Sequence, residues 1–180
     1  MGQLIKLFGK NKSFLILELF LNSPTKTFTL KEIRNITKLA KNTILKWLAH
    51  FIKVDFIEEQ RNGIYRFFKL NNENIIIKNL KRINTLSKLE KLKELSKKYN
   101  INVYLYGSSA RGEDIEKSDI DLLIIGKIKR PDIIAEIKKI ESITKKEIKF
   151  QIFSQLEWSN TIKKDKAFYE RVEKDKVEVL

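Results

Sequence analysis

The arrangement of apolar and polar residues predicts three helices between Ser13 and Lys53. Ser13 to Leu21 is an almost continuous apolar run that stops at Asn22-Ser23-Pro24, and this run predicts the first helix. Thr29 to Glu32 has the spacing of a capping box and predicts the start of a second helix. The buried edge of the second helix is predicted to consist of Ile33, Ile36 and Leu39. A third helix is predicted from about Lys41 to Lys53, so the second and third helices form a tightly turned pair.

A β-hairpin is predicted directly after these helices. Phe56 to Gln60 and Ile64 to Leu70 have the composition of strands, and Arg61-Asn62-Gly63 separates them. Asn-Gly is a strong signal for a tight hairpin turn, and the neighbouring arginine makes the tip of the hairpin basic. Apolar residues then return to helical spacing between positions 74 and 99, which predicts that a helix bridges the two halves of the chain.

Strands and helices alternate in the rest of the chain. The predicted elements are a strand at Val103 to Tyr106, a strand at Ile120 to Ile125, a helix at Pro131 to Ile143, a strand at Ile148 to Phe153, a helix at about Leu156 to Lys174 and a short tail at Val177 to Leu180. This alternation predicts a mixed sheet with covering helices, and hence a two-domain α+β and α/β chain. The predicted divisions are a domain at 1–72, a helical connector at 73–85 and a second domain at 86–180. The leucine-bearing helix at 85–98 is expected to cover the sheet, with a homodimer face as the alternative use.

Composition and charge limit the cellular compartment and the binding partners that we expect for the protein. The 180 residues include no cysteine, which excludes disulfides, thiolate metal sites and a cysteine nucleophile, and a reducing cytoplasm is expected. No apolar run is long enough to cross a membrane, so we expect a soluble protein without a membrane partner. The net charge is +14, and the first 72 residues hold 13 basic and 5 acidic residues. A basic surface attracts polyanions, nucleic acid first, although a solvated lysine-rich surface is the alternative.

The most informative segment runs from Val103 to Ile125. A predicted strand ends in Gly107-Ser108, and ten residues later Asp119 and Asp121 open the next strand. Glycine lets backbone N–H groups approach an anion and Ser108 adds a hydroxyl, so this turn suits phosphate oxygens. Asp119 and Asp121 share one face of a strand, and two adjacent carboxylates suit a hard divalent cation. The alternative is an ordinary hairpin in which Ser118 and Asp119 cap a turn.

This Gly-Ser and Asp-x-Asp arrangement resembles the nucleotidyltransferase superfamily that includes DNA polymerase β, and in particular its minimal branch. The resemblance implies that Gly107 and Ser108 contact the phosphates of a nucleoside triphosphate such as ATP. It also implies that Asp119 and Asp121 bind Mg²⁺ or Mn²⁺ and are the catalytic carboxylates. Arg111, in the same loop, is predicted to be a further phosphate contact.

One position departs from the pattern of that superfamily. Active members have a third carboxylate on a later strand, and in the predicted strand from Ile148 to Phe153 the third-site position is taken to be Gln151. Glutamine can accept a hydrogen bond or bind a metal weakly, but it carries no charge and cannot act as a general base. The intact motif therefore favours an enzyme, and Gln151 argues against catalysis.

The order of helix, helix pair and basic hairpin in the first domain resembles the winged-helix family. The resemblance implies that the third helix enters the major groove of DNA and that the hairpin is the wing. The side chains suited to bases or phosphates are Lys41, Asn42, Thr43 and Lys46 on the helix, with Arg61 and Arg66 on the wing. Winged helices also serve as protein-binding modules, which is the alternative.

Two hypotheses for the function of the whole chain follow. In the first, the chain is a nucleotidyltransferase, tethered to a DNA-binding domain, that moves a nucleoside monophosphate to an acceptor hydroxyl. Because the minimal branch resembles antitoxins that modify a partner toxin, a toxin-like protein is one candidate acceptor. In the second, the chain is a DNA-binding transcription regulator whose second domain only binds nucleotide, metal or a partner protein.

Overall fold

The computed structural model describes residues 11–179, which fall into two compact units, Met1–Asn84 and Thr85–Leu180. The start of the predicted first domain, residues 1–10, and the last residue of the predicted tail, Leu180, lie outside the described range. The boundary between the units falls within one helix, Ile75–Leu89, which covers most of the predicted connector. Each unit has its own hydrophobic core.

The first unit combines helices with a small sheet. Its elements are α1 (Lys12–Asn22), β1 (Phe28–Thr29), α2 (Leu30–Thr37), α3 (Lys41–Lys53), β2 (Ile57–Asn62), β3 (Tyr65–Leu70) and the first part of α4 (Ile75–Leu89), up to Asn84. The three strands are antiparallel in the order β1-β3-β2. The two-residue strand β1 was not predicted, because such a short segment next to a helix cap has no alternating pattern of its own.

The capping box predicted at Thr29 is present and starts α2. The Glu32 backbone N–H donates to the Thr29 hydroxyl at 3.3 Å, and the Thr29 backbone N–H donates to the Glu32 carboxylate at 2.8 Å. Ile33 is fully buried, but Ile36 is 53% exposed, so its predicted place on the buried edge is wrong. The buried side of this eight-residue helix is narrow, and Ile36 falls outside it.

The predicted hairpin is present, with its turn one residue further along than expected. Asn62 pairs with Tyr65, which leaves Gly63 and Ile64 as the two turn residues. Gly63 has a φ of +58°, a left-handed conformation that glycine adopts without strain. Ile64 at the tip is 90% exposed.

The second unit is built on a four-stranded mixed sheet. Its further elements are α5 (Leu92–Tyr99), β4 (Asn102–Tyr106), α6 (Gly107–Arg111), β5 (Ile120–Ile125), α7 (Arg130–Thr144), β6 (Ile148–Phe153), α8 (Gln155–Lys164), α9 (Lys166–Asp175) and β7 (Val177–Glu178). The strand order is β6-β5-β4-β7. β5 is parallel to β6 and antiparallel to β4, which is in turn antiparallel to β7. The prediction of a mixed sheet with covering helices is confirmed.

Helices cover both faces of this sheet. Leu89 at the end of α4 and Leu92 at the start of α5 are fully buried with Leu105, Leu122 and other strand residues on one face, so the leucine-bearing segment covers the sheet as expected. Hydrophobic residues of the α8 and α9 region cover the other face, where Trp158 and Val172 pack with Tyr106 and Leu123. The carboxylates of the Asp-x-Asp motif belong to this second face, because Asp121 and Leu123 are two residues apart on β5.

Two helices that the sequence pattern predicted as continuous are divided. The predicted helix from Leu156 to Lys174 ends at Lys164 and restarts at Lys166. Asp165 between them has non-helical angles, and its side chain accepts from the Phe168 backbone N–H at 2.9 Å. An aspartate that caps a new helix ends the previous helix, and the spacing of the apolar residues on either side gives no sign of the break. The predicted helix over 74–99 is divided after Leu89, and no side-chain cap starts its second part. Within residues 11–179 there is no helix with the length and apolar character that a membrane span needs.

Candidate nucleotide-binding site

The site is built around the close approach of Asp121 to Gly107. β4 and β5 are antiparallel, and Asp121 pairs with Tyr106 immediately before Gly107 turns the chain into α6. Gly107 has a φ of +72°, and a Cβ added there would lie 2.8 Å from Asp121 Oδ2. The left-handed backbone favours glycine here, and its lack of a Cβ leaves room for the carboxylate in this position. The two halves of the motif predicted from the sequence therefore meet in the structure.

The loop that follows Gly107 is tied to the second half of the motif through Ser109. Ser109 is fully buried, and its hydroxyl donates to the Asp119 backbone carbonyl at 3.4 Å. Ser108, the predicted phosphate contact, is half-buried, and its carbonyl accepts from the Glu113 backbone N–H at 2.9 Å. The turn thus holds Gly107 and Ser108 at one end and the start of β5 at the other.

A buried ion pair fixes the same loop to the start of β6. Lys146 Nζ lies 2.5 Å from the carboxylate of Asp114, and it also donates to the Ile115 carbonyl at 2.8 Å. The Asp114 side chain is 8% exposed, so this pair has far less water around it than an ordinary surface pair. The loop between Gly107 and Asp119 is therefore anchored in its middle as well as at its ends.

Negative charge is concentrated at the two aspartates. Burial raises the pKa of Asp121, and the neighbouring negative charge of Asp119 raises it further. The positive charges of Lys149 and Arg171 act in the opposite direction. The pKa of Tyr106 is also raised, first by burial and then by the charge of Asp121. A half-buried carboxylate beside a second carboxylate is a place that a cation would stabilise.

The residue of β6 that lies beside the two aspartates is Lys149 rather than Gln151. In the parallel pairing of β5 and β6, Asp121 is opposite Lys149, and Gln151 is opposite Leu123. Lys149 Nζ lies 2.5 Å from Asp119 Oδ2, and this contact raises the pKa of the lysine. The structure therefore does not bring Gln151, predicted for the third-site position, next to Asp121. Lys149 could not be singled out from the sequence. Lys149 and Gln151 are two residues apart and so lie on the same face of the sheet, and the alternation along one strand does not show which residues it faces on the next strand.

Two of the three arginines of this unit belong to the motif loop and to α9, and they have different surroundings. Arg111, predicted as a phosphate contact, lies 2.6 Å from the Glu113 carboxylate and also pairs with Asp175. Its guanidinium would have to leave these partners to reach a phosphate. Arg171 on α9 is exposed and lies over the Phe168 ring, and its charge acts on both Asp121 and Tyr106. Arg171 was missed because nothing in the sequence indicates that α9 faces the motif.

The donor set suits one divalent ion that shares its shell with a substrate. No group of three or more histidine, cysteine, aspartate or glutamate side chains suited to a metal occurs in residues 11–179. Asp119 and Asp121 offer carboxylate oxygens, the ligand type that Mg²⁺ and Mn²⁺ prefer. Mg²⁺ is commonly held by one or two carboxylates together with substrate phosphates, so these residues fit that ion when a nucleotide is present.

The second unit matches a known protein family in sequence. Residues 87–176, half of the chain, match the nucleotidyltransferase domain family, and the chain belongs to that family. A solved structure of a putative nucleotidyltransferase from Sulfolobus solfataricus is 22% identical over 56% of this chain and 84% of that one, with a TM-score of 0.33. No curated protein matches the chain. The match confirms the predicted resemblance to the nucleotidyltransferase family over residues 87–176.

The helix residues predicted to contact DNA lie at the start of α3. Lys41, Asn42 and Lys46 are exposed, and Thr43 is half-buried. Trp47, on the same helix, has its ring 6.2 Å from that of Phe51, which is buried in the core of the first unit. Trp47 therefore packs within the unit, and the exposed polar residues form the surface available to a partner.

The two arginines predicted on the hairpin share one carboxylate. Glu59 accepts from Arg61 Nε at 2.8 Å, from Arg66 Nε at 2.9 Å and from Arg66 Nη2 at 2.7 Å. The Arg66 hydrogen bonds, with those of Arg61, lower the pKa of Glu59 to about 2. Half of the positive charge of this pair of arginines is therefore neutralised within the hairpin.

The low pKa of Glu59 predicts an acid-dependent contribution to stability. Glutamate in an unfolded chain has a pKa of about 4.3, so the contribution is complete above that pH and is lost as pH falls towards 2. The difference in free energy of unfolding between the natural protein and Glu59→Gln should therefore shrink between pH 5 and pH 2, measured by urea titration. Glu73→Gln, which removes the same charge from a side chain that is 90% exposed, is the matched control. A constant difference across this range would contradict the assignment.

Proposed function

We propose that the second unit is a metal-dependent nucleotidyltransferase that moves a nucleoside monophosphate from a nucleoside triphosphate to an acceptor hydroxyl. The observation that carries this proposal is the Asp121 carboxylate held against Gly107, at a turn suited to phosphate and two residues from Asp119. Membership of the nucleotidyltransferase domain family supports the same class of reaction. The donor is proposed to be ATP-like, and the ion to be Mg²⁺ or Mn²⁺.

Each residue of the motif has a role in this reaction. Gly107 and Ser108 bind the triphosphate, while Asp119 and Asp121 hold the divalent ion, which would neutralise negative charge on the phosphates. The acceptor oxygen forms a bond to the α-phosphorus, and the bond from that phosphorus to the oxygen bridging to the β-phosphate breaks. Pyrophosphate leaves with the bonding electrons. The acceptor proton passes to solvent, because Lys149 and Gln151 on β6 offer no carboxylate to receive it.

Metal-dependent binding of nucleotide tests the site without knowledge of the acceptor. A fluorescent ATP analogue should bind the full-length protein in Mn²⁺ and should be released by EDTA, as measured by fluorescence anisotropy. Binding that is unchanged by EDTA would contradict a metal site at the two aspartates. Absence of any binding would contradict the nucleotide site itself.

A pocket that binds nucleotide without transferring it is the second candidate. Lys149 beside Asp119, and the lack of a third carboxylate opposite Asp121, favour this candidate specifically. In that case the chain would be a regulator that responds to nucleotide or metal. The two candidates agree on nucleotide binding and differ on whether label from the triphosphate reaches an acceptor.

We further propose that the first unit is a winged-helix DNA-binding domain. Support comes from its order of elements, with the helix pair α2 and α3 followed by the β2–β3 hairpin. Exposed Lys41 and Lys46 on α3, together with the excess of basic residues in the first 72 positions, provide charge suited to phosphates. Asn42 and Thr43 carry groups able to read base edges, and Arg61 and Arg66 would follow the backbone from the hairpin.

Substitution of the two α3 lysines tests DNA binding. Lys41→Ala/Lys46→Ala should weaken binding to duplex DNA and lower the slope of log affinity against log salt by about 2, because each lysine is expected to neutralise one phosphate. The measurement is fluorescence anisotropy with a labelled duplex at several salt concentrations. Lys127→Ala/Lys138→Ala, which removes two exposed lysines from the second unit, is the control of equal charge. Equal weakening in the two variants would indicate only a general attraction of a basic protein to DNA.

A further inference from the structure

Lys149 takes a place at the site where a third negative charge would strengthen metal binding. The register of β5 and β6 puts it opposite Asp121, and its ammonium lies 2.5 Å from Asp119 Oδ2. Asp119, Asp121 and Lys149 together have a net charge of −1. With a carboxylate at position 149 the same three positions would have a net charge of −3. The identity of one residue on β6 therefore changes the electrostatics of the whole site.

We propose that Lys149 is an internal counter-ion of the metal site, and that a divalent ion binds Asp119 and Asp121 only by displacing the Lys149 ammonium from Asp119. This inference rests on the proposed function of the two aspartates as metal ligands. In this role Lys149 sets the affinity of the site for metal and takes no part in the reaction.

The exposure of the two groups makes this displacement feasible. The Lys149 side chain is 59% exposed and the Asp119 side chain 32% exposed, so water screens the ion pair. Ion pairs of this kind contribute little to stability, and a divalent ion attracts a carboxylate more strongly than an ammonium does. Lysine has a flexible stem, so its ammonium can turn towards solvent or towards bound phosphates without movement of β6. The main effect of Lys149 is thus to oppose the charge of the incoming ion.

Titration with Mn²⁺ alone tests this inference directly. We expect Lys149→Gln to tighten Mn²⁺ binding by about tenfold relative to the natural protein, and Lys149→Glu to tighten it further, because each change removes positive charge a few ångströms from the ion. The measurement is electron paramagnetic resonance of free Mn²⁺ with the full-length chain. Lys138→Gln, an exposed lysine on α7, is the control of equal charge and should leave the affinity unchanged.

The direction of the effect separates this role from simple damage to the site. A variant that misfolds would bind Mn²⁺ more weakly, whereas tighter binding in the order Glu, Gln, Lys at position 149 supports the inference. Unchanged or weaker binding in both variants would overturn it. Asp119→Asn/Asp121→Asn distinguishes failure of the metal site from failure of the role of Lys149. If this double variant binds Mn²⁺ as the natural protein does, the two aspartates are not the metal site and the proposed function fails. If the double variant loses Mn²⁺ binding while the two Lys149 variants bind Mn²⁺ as the natural protein does, only the role of Lys149 fails.

Discussion

Asp119→Asn/Asp121→Asn is expected to reduce nucleotidyl transfer by at least about 100-fold, the size of effect seen when a preorganised electrostatic group is removed from a reaction centre. Asparagine keeps the shape of each side chain but removes both negative charges that would hold the divalent ion. The loss should appear in the rate of transfer measured at saturating nucleotide and Mn²⁺.

The control for this double variant must remove two carboxylates without touching the site. Glu136→Gln/Glu170→Gln meets this requirement, because both residues form ion pairs on the helical surface, with Lys139 and Lys166 respectively. The control is expected to retain activity, since exposed pairs of this kind contribute little. Transfer that persists in the asparagine variant would place the reaction centre elsewhere.

Gly107→Ala is expected to disrupt the site and to destabilise the protein. The backbone at Gly107 has a φ of +72°, which costs an alanine roughly 1–2 kcal/mol. The new methyl group would also lie 2.8 Å from Asp121 Oδ2, so the carboxylate must turn away from the position it has in the site. We expect a free energy of unfolding lowered by both effects, together with loss of metal-dependent nucleotide binding.

Gly63 provides a matched control for this substitution. It has a similar φ of +58° at the tip of the β2–β3 hairpin, and nothing lies within 4 Å of a Cβ placed there. Gly63→Ala should therefore show the cost of the backbone alone, with nucleotide binding unchanged. Equal destabilisation of the two variants in urea titrations, with nucleotide binding retained in both, would show that the close approach of Asp121 to Gly107 has no functional part.

The sequence was sufficient to predict most of the elements that hold the site. The apolar runs Ile120–Ile125 and Ile148–Phe153 form strands with the predicted bounds, because each is a short apolar or alternating segment bounded by polar residues. The meeting of Gly107 with Asp121 was also predictable in kind, since two strands joined by one loop are neighbours in most folds. The pattern could not show how closely Asp121 approaches Gly107, where an added Cβ would lie 2.8 Å from Asp121 Oδ2.

The sequence pattern could not predict the register between β5 and β6 or the break between α8 and α9. β5 and β6 are parallel and joined through α7, so no short turn fixes which residues face one another. The prediction of Gln151 for the third-site position rests on the apolar residues that flank it, and the sequence did not indicate that Lys149 pairs with Asp121. Asp165 shows the same limit in a helix, because it interrupts a run whose apolar spacing continues on both sides.

The arrangement of charge at the site affects the rate of transfer that we expect from this member of the family. Asp119 and Asp121 occupy the positions that the motif predicts, and the chain belongs to the nucleotidyltransferase domain family. Lys149 supplies a positive charge at the strand position opposite Asp121, and in the proposed function this charge would lower the attraction of the site for metal. A reaction that depends on a weakly held ion would be slow, so activity measurements should use Mn²⁺ and long incubations.

Transfer of label from two forms of ATP tests the central claim most directly. The full-length protein is incubated with Mn²⁺ and pooled protein and nucleic-acid acceptors, once with ATP labelled at the α-phosphate and once at the γ-phosphate. Nucleotidyl transfer predicts that α-label becomes attached to an acceptor and that γ-label appears only as pyrophosphate, with both signals lost in Asp119→Asn/Asp121→Asn. Absence of α-label from every acceptor, while the protein still binds the nucleotide, would contradict the claim that this pocket is an enzyme.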